Sequence, residues 1–405
     1  EARRAGCARP GTSVRWKGTP HRAVADERGF FSLPLLPGRL TASAPGHLIA
    51  GPSLRLRPLP PEDNALYEWV DPAPSPADEG RCANCHREIH REWAGSAHSR
   101  SSASERFLQV YARLLREKPD GSAVCASCHA PALPDGEALG DLREAEGFKA
   151  SVHCDYCHKV AGLGEGTLGL THGKHLLRLL RPKEGQLFFG PLDDVDRGED
   201  AYSPLYRDSR YCAACHEGNV FGTAVYTTYS EWRASPAARE GKQCQDCHMR
   251  PTGRMANVAP GRGGIARDPR TLGNHSFWDG SQAEMLRRSL TLEGRIDGGS
   301  VVAVVTARGA GHRVPTGWIE RELALEVQGF DVAGRSLGHQ RWTYAKQASG
   351  PFWDLPEVRD TRLVPEVPDE RRFRFGEGLS RVRVRLVHRR YPGGPAITVA
   401  DQEWE

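Results

Sequence analysis

Ten of the eleven cysteines in this chain fall into five C-x-x-C pairs, and a histidine follows every pair. The pairs are Cys82/Cys85, Cys125/Cys128, Cys154/Cys157, Cys212/Cys215 and Cys244/Cys247, followed by His86, His129, His158, His216 and His248. Zinc ribbons also use paired C-x-x-C units, but they need no histidine at the next position. With 16 histidines in 405 residues, five out of five by chance is on the order of 10⁻⁷, and C-x-x-C-H is the signature of c-type haem attachment. The spacing has a chemical reason. Two thioethers tether the porphyrin edge, and the adjacent imidazole is delivered to one face of the iron. The expected cofactors are five covalently bound haem c groups.

Five proximal histidines leave eleven others, against only three methionines. Methionine cannot serve all five irons, so bis-histidine ligation is expected, with low potentials relative to Met/His cytochromes. In "RCANCHREIHREWAGSAH" the helix after His86 leads away from its own haem, which makes His98 a ligand of the next one. His90 lies one turn past His86. It reads first as a propionate or surface contact, with ligation of another haem as the alternative. His172 and His175 in "LTHGKHL", His275 in "GNHSFWDG" and His312 in "GAGHRVPTG" sit in glycine-rich turns, which suit a ligand brought in by a loop. His153, directly before Cys154, is a reserve choice. "EWAGSAH" at 92–98 recurs as "EWRASPA" at 231–237, with Glu231, Trp232 and Ser235 kept and Ala237 in place of His98. The tryptophan therefore reads as packing over a porphyrin, and the ligand role as local to the first copy.

The elements that position these groups follow from composition. A length of 405 residues suggests two or three domains. The 44 glycines and 29 prolines favour loops and β-structure over long helices. No apolar run approaches a membrane span, so no transmembrane segment is expected. The chain starts at Glu1 without a signal peptide, which reads as a mature form. Covalent haem is added outside the cytoplasmic membrane, so the expected location is extracellular or the cell surface, with the periplasm as the alternative. Residues 81–280 supply roughly 40 residues per haem, too few for an aliphatic core around each ring. The porphyrins must be the core. The polypeptide charge of +4 becomes about −1 oxidised and −6 reduced once ten propionates are added and each haem core is counted as about +1 when ferric and 0 when ferrous. The basic residues then pair with propionates rather than nucleic acid. Cys7, left over, reads as an unpaired or intermolecularly paired thiol, because Arg3 and Arg4 break any lipid-attachment box.

Residues 81–320 resemble multihaem c-type cytochromes related to the tetrahaem cytochrome and hydroxylamine oxidoreductase of ammonia oxidisers. The matching pieces are C-x-x-C-H-x-x-I-x-x-E-W-x-x-S-x-H from Cys82, "CDYCHKV" at 154–160 and "YSEWRASPAAREGKQCQDCHM" at 229–249. "NHSFW" at 274–278 and "GHRVPTG" at 311–317 also match. The resemblance implies distal ligation by His98, His275 and His312. Similar proteins often carry a histidine shortly before "YSPL" at 202–205, where this chain has "DRGED", so His172 or His175 is the implied substitute. Residues 12–60 resemble a carboxypeptidase regulatory-like domain, a small β-sandwich, through "DERGFFSLPLLPGRLTASAPGHL". Such domains open with a further strand, and residues 1–11 read poorly as one. It is expected to be missing or supplied by another chain.

The fold class read from the sequence is multidomain. A haem-packed, mostly α or irregular cytochrome module is flanked by N- and C-terminal β-sandwich domains. The expected boundaries are 1–60 for the first sandwich, 61–80 for a Pro-rich linker, 81–285 for the pentahaem module and 286–405 for the second sandwich. Strands are expected at 300–308, 322–330 and 381–389, with Arg381, Arg383 and Arg385 on a solvated face. The leading function is electron conduction through closely stacked bis-His haems, in extracellular electron transfer and as a subunit of a polymeric filament. The alternatives are a monomeric periplasmic shuttle and a multihaem oxidoreductase of nitrogen compounds. No catalytic residue is assigned. Partners are other redox proteins or copies of the chain, and His21, His47, His339 and His388 are candidates to cap a haem across an interface.

Overall fold

The computed structural model describes residues 2–134, 143, 147–279 and 282–405. The chain divides into two compact units. One contains Glu1–Gly166, His172–Tyr211 and Met249–Phe277, the other Thr167–Thr171, Cys212–His248 and Trp278–Glu405. The motifs at Cys82, Cys125 and Cys154 belong to the first unit, those at Cys212 and Cys244 to the second.

The first unit begins with two small sheets. Ser13–Trp16 lies between Arg22–Val24 and Leu40–Ser43, antiparallel to both, and Arg3–Cys7 pairs antiparallel with Phe30–Pro34. Strand alternation places Val14, Trp16, Phe31, Leu33 and Leu40 in one buried cluster. Arg3–Cys7 is the opening strand that residues 1–11 were expected to lack. Four of its five residues are exposed, so it carries no apolar alternation to read and is defined by backbone pairing alone. An acidic loop fastens these sheets to the rest of the unit. Arg15 pairs with Asp193 at 2.7 Å, Lys17 and Arg39 with Asp196, and Arg267 with Asp194 at 2.7 Å.

The Pro-rich run 61–80 has no regular element, yet it is pinned within the unit. Tyr67 Oη lies 3.0 Å from Asp155 and 2.9 Å from Gln186, and Trp69 Nε1 donates to Ala132 O at 3.0 Å. The helices that follow are mostly single turns such as Cys82–Cys85, Val124–His129 and Cys154–Cys157. One turn is all an attachment motif needs, because it brings positions i, i+3 and i+4 to one side. Glu105–Glu117 is longer. Its N-cap Ser104 accepts from Phe107 N, and it buries Tyr111 and Leu114.

In the second unit Thr291–Asp297, Ser300–Thr306 and Asp369–Arg374 form one antiparallel sheet. Val358–Asp360, Ser336–Ala348, Glu322–Phe330, Arg381–Arg389 and Ala396–Trp404 form another, in that order. The expected strands at 300–308, 322–330 and 381–389 are therefore present. Val301, Ala303 and Val305 of one sheet share a single apolar cluster with Leu323, Leu325, Val327, Val382, Val384 and Leu386 of the other. On the opposite face the alternating arginines form a cross-strand ladder. Arg381 pairs with Glu403 at 2.9 Å, Arg383 with Asp401 at 2.6 Å and Arg385 with Glu326 at 2.9 Å.

Candidate haem sites

No disulfide joins any of the eleven cysteines, so the five pairs retain the thiols that thioether attachment requires. Each pair sits on one helix. Cys82 and Cys85 bound the helix Cys82–Cys85, and Cys154 and Cys157 bound Cys154–Cys157. Cys125 and Cys128 lie in Val124–His129, Cys212 and Cys215 in Ser209–His216, and Cys244 and Cys247 in Cys244–His248. All ten are partly buried. Cys128 Sγ lies 3.8 Å from the Ser127 hydroxyl. For Cys128, Cys215 and Cys247 it is this i+3 placement on the turn, beside the first cysteine of the pair, that fits a porphyrin tether.

The histidines after the pairs are oriented by backbone. His86 Nδ1 lies 2.9 Å from Val258 O, His129 Nδ1 2.6 Å from Ser101 O and His158 Nδ1 2.6 Å from Phe189 O. His248 Nδ1 contacts Trp278 O. A carbonyl only accepts, so each Nδ1 carries the proton and each Nε2 keeps its lone pair, which is the tautomer a metal needs. Two of these contacts are reciprocal. Phe189 N donates to His158 O at 2.8 Å, and Trp278 N to His248 O at 3.1 Å. Burial pushes the His129 and His158 imidazoles below their ordinary range, which also favours the neutral ligand form. His216 ends the helix Ser209–His216.

Two of the candidate sixth ligands have the same polarity. His275 Nδ1 lies 3.2 Å from Gly273 O and His312 Nδ1 3.0 Å from Arg313 O. Burial, reinforced by neighbouring imidazoles, lowers both to about 4. The His248 and His312 rings face each other with centroids 6.1 Å apart and planes 14° from parallel. A metal–imidazole bond of about 2.0 Å on each side, plus the half-width of each ring, spans about 6 Å between centroids. The observed separation matches that span. His158 is the neighbouring imidazole with the larger effect on His275, followed by His86. The Cys82 and Cys154 thiols are hydrogen-bonded to each other, a contact that pushes Cys154 far above its ordinary range. The first and third motifs thus meet at their first cysteines.

Residues 81–159 match the family described as cytochrome c554 and c-prime, a stretch that covers the first three motifs and His98. No curated protein matches the chain. Among solved structures, a penta-haem cytochrome c552 from Thermochromatium tepidum is similar, with a TM-score of 0.60 and 22% identity. The match covers 80% of this chain and 97% of that one. The fold is that of a multihaem c-type cytochrome.

The remaining candidate ligands are placed as follows. His98 packs edge-on against Phe277, with centroids 4.4 Å apart, and Phe277 also meets His275 at 5.9 Å. His172 is buried and His175 exposed, on either side of Gly173, which is pressed against the second motif. Gly173 has φ +54°, and a Cβ there would lie 1.8 Å from Ser127 O. Only glycine lets the turn approach that closely. His90 packs against Trp93 and lines, with Arg87 and Arg262, a cavity of about 730 Å³. His153 has the opposite polarity from the ligand candidates, because Tyr156 N donates to its Nδ1 at 3.3 Å and leaves the proton on Nε2. It caps the helix Cys154–Cys157. Cys7 is exposed. His388 is only 2% exposed, so it is not at a surface where it could cap a haem across an interface. Sequence reasoning passed over Glu92 and Glu231, although the echo retained both.

Proposed function

We propose that this chain is an electron-transfer protein that conducts through five covalently bound, bis-histidine haem c groups. The observation that supports this reading is the pair His248 and His312, with ring centroids 6.1 Å apart and each Nδ1 held by a backbone carbonyl. Haem iron supplies a one-electron couple, and two imidazoles hold it at low potential relative to Met/His ligation. A catalytic iron needs an open position, which bis-histidine ligation would not leave. In the proposed set the tethers are Cys82 with Cys85, Cys125 with Cys128, Cys154 with Cys157, Cys212 with Cys215 and Cys244 with Cys247. His312 serves the iron at Cys244–His248 and His275 the iron at Cys154–His158. His98, His172 and His175 serve the remaining three. The Cys82–Cys154 thiol contact supports close approach of the haems on the first and third motifs. Covalent attachment supports a location outside the cytoplasmic membrane, and among the described residues no helix is long and apolar enough to cross a membrane. We read the chain as one unit of a longer extracellular path, including a polymer. That reading rests on haem density, because Arg3–Cys7 is itself the first strand that was expected to be missing or supplied by another chain, and it pairs with Phe30–Pro34.

Pyridine haemochrome quantitation should give five haems per chain, and EPR of the oxidised protein should show no substantial high-spin ferric signal. A high-spin species that binds nitrite or hydroxylamine would overturn the electron-transfer reading in favour of catalysis. Light scattering on native material addresses assembly. A single monomeric species, unchanged on concentration, refutes the polymer.

A further inference from the structure

The sequence echo between residues 92–98 and 231–237 is a structural repeat that reaches well beyond the matching letters. In the first copy Trp93 Nε1 donates to Val152 O at 2.9 Å, and Val152 N donates to His98 O at 3.2 Å. In the second, Trp232 Nε1 donates to Lys242 O at 2.9 Å, and Lys242 N donates to Ala237 O at 3.0 Å. Val152 and Lys242 each stand two residues before the first cysteine of a motif, Cys154 and Cys244. Arg100 Nη1 donates to Gly95 O at 3.4 Å, as Arg239 Nη1 does to Ala234 O at 3.1 Å. Tyr229 packs on Trp232 at 5.4 Å, where His90 packs on Trp93 at 5.5 Å. The two motifs behind the repeat share the reciprocal backbone contact of their proximal histidines, His158 with Phe189 and His248 with Trp278.

The shared glutamate has an equivalent task in both copies. Glu92 accepts from Asn274 Nδ2 at 2.7 Å and from His275 N at 2.9 Å, both on the loop that carries His275. Glu231 accepts from Thr316 Oγ1 at 3.2 Å and pairs with the Arg362 guanidinium at 2.7 Å. Arg362 Nη1 also donates to Pro315 O at 3.4 Å. Thr316 and Pro315 are on the loop that carries His312. The second pair is almost dry, with the Arg362 and Glu231 side chains 3% and 7% exposed. In each copy the carboxylate therefore joins a short helix, Arg87–Ala94 or Thr228–Arg233, to the loop bearing a candidate sixth ligand.

We infer that Glu92 and Glu231 are equivalent positioning residues. Each locks the loop that presents a sixth ligand, His275 or His312, to the iron of the motif its own repeat abuts, Cys154–His158 or Cys244–His248. This rests on the ligand set proposed above. The chemistry calls for a carboxylate rather than an amide. At Glu92 the two oxygens satisfy two donors from one loop, and at Glu231 they take the Thr316 hydroxyl and the Arg362 guanidinium, whereas an amide offers one acceptor and turns its own N–H groups toward the second donor. Ligand geometry at an iron is sensitive to such supporting contacts.

The test compares Glu92→Gln and Glu231→Gln with His275→Ala and His312→Ala, all as purified ferric holoprotein. Each glutamine variant should keep five haems. Each should gain a high-spin ferric EPR signal of at most one haem in five, which added imidazole converts back to low-spin. His275→Ala and His312→Ala should show that signal in full. If the glutamine variants stay wholly low-spin while both alanine variants turn high-spin, the glutamates are merely structural and the inference falls, with the ligand set intact. If the alanine variants also stay low-spin, the ligand set itself is wrong. Asn274→Ala and Thr316→Val each remove one donor to the same carboxylates. They should give a weaker version of the signal where a glutamine variant does not accumulate, and full low-spin character in both would equally overturn the inference.

Discussion

Replacing Asp155 by asparagine should destabilise the first unit severely, and the structure sets the scale. Asp155 and Lys159 form an ion pair whose side chains are both 0% exposed. Asp155 also accepts from Val70 N at 2.9 Å and lies 3.0 Å from Tyr67 Oη, so one carboxylate holds a helix, a lysine and the Pro-rich run. Without its charge, Lys159 keeps Gln186 Oε1 at 3.2 Å and the Phe188 ring at 4.0 Å, neither of which neutralises it. Breaking a buried pair from one side costs about 3–5 kcal/mol, whereas replacing both partners by apolar groups costs little. Asp155→Asn should therefore lose about 3–5 kcal/mol at neutral pH, and Asp155→Asn with Lys159→Met should regain most of it. Burial already lowers the Lys159 pKa against the opposing pull of Asp155, and the single variant removes that pull. A lysine with a depressed folded pKa penalises folding below its unfolded value and not above it. The deficit should thus shrink as pH rises toward about 10.4. Guanidinium unfolding followed by circular dichroism, on samples with matched haem content, measures all three species. A single-variant loss under about 1 kcal/mol, or a double variant no better than the single, would refute the account.

Two further outcomes follow from single positions. His388 is buried with Nδ1 unpartnered, and burial, assisted by Arg321 and Arg390 against Asp279, lowers it to about 4. It is neutral in the fold, so its contribution is complete above the unfolded value of about 6.5 and is lost as pH falls through about 4. This amounts to up to about 3 kcal/mol. His388→Leu should flatten the fall in melting temperature over that window, and an unchanged acid slope would count against it. Gly173→Ala places a Cβ 1.8 Å from Ser127 O at a positive φ, so it should cost at least about 1–3 kcal/mol. On the proposed ligand set it should also perturb the irons served by His172 and His175, which flank it, along with the haem on Cys125–His129, visible as altered components in EPR while the others stay unchanged. A variant as stable as the parent would show that the turn relaxes freely.

The parts of this molecule legible in the sequence are those whose signal is local. A C-x-x-C-H run needs one helical turn, and a strand such as Arg381–Arg389 shows its two faces by alternation, so both were readable. Arg3–Cys7 was not, because its side chains are mostly exposed and its partner lies well along the chain at Phe30–Pro34. The Pro-rich run showed its irregular backbone but not its anchors, since Tyr67 and Trp69 reach residues far along the chain. His312 was suggested by its glycine-rich turn, yet its pairing with His248 is a long-range fact that spacing does not contain. His153 shows the converse. Its position beside Cys154 is suggestive in sequence, and only the Tyr156 N–H that it accepts reveals a helix cap.

The repeat also bears on why the proposed ligand role falls to His98 and not to Ala237. In the second copy the chain passes from Ala237 to Lys242 through residues 238–241 alone, and Lys242 N closes on Ala237 O. In the first copy the same closure, Val152 N on His98 O, spans residues 99–151, which contain the entire second motif. The two ends of that long excursion are tied together, Val152 N donating to His98 O and to Ser101 Oγ and Ser102 bonding Ser151, so the second motif is carried without altering the geometry that Glu92 and Trp93 impose on the third. Lengthening such a loop costs only slowly in entropy. An additional haem brings an additional demand for a sixth ligand, and the hinge of the excursion is a place where a side chain can be spared for it. His98 sits at that hinge, with its ring against Phe277 in the same loop that carries His275.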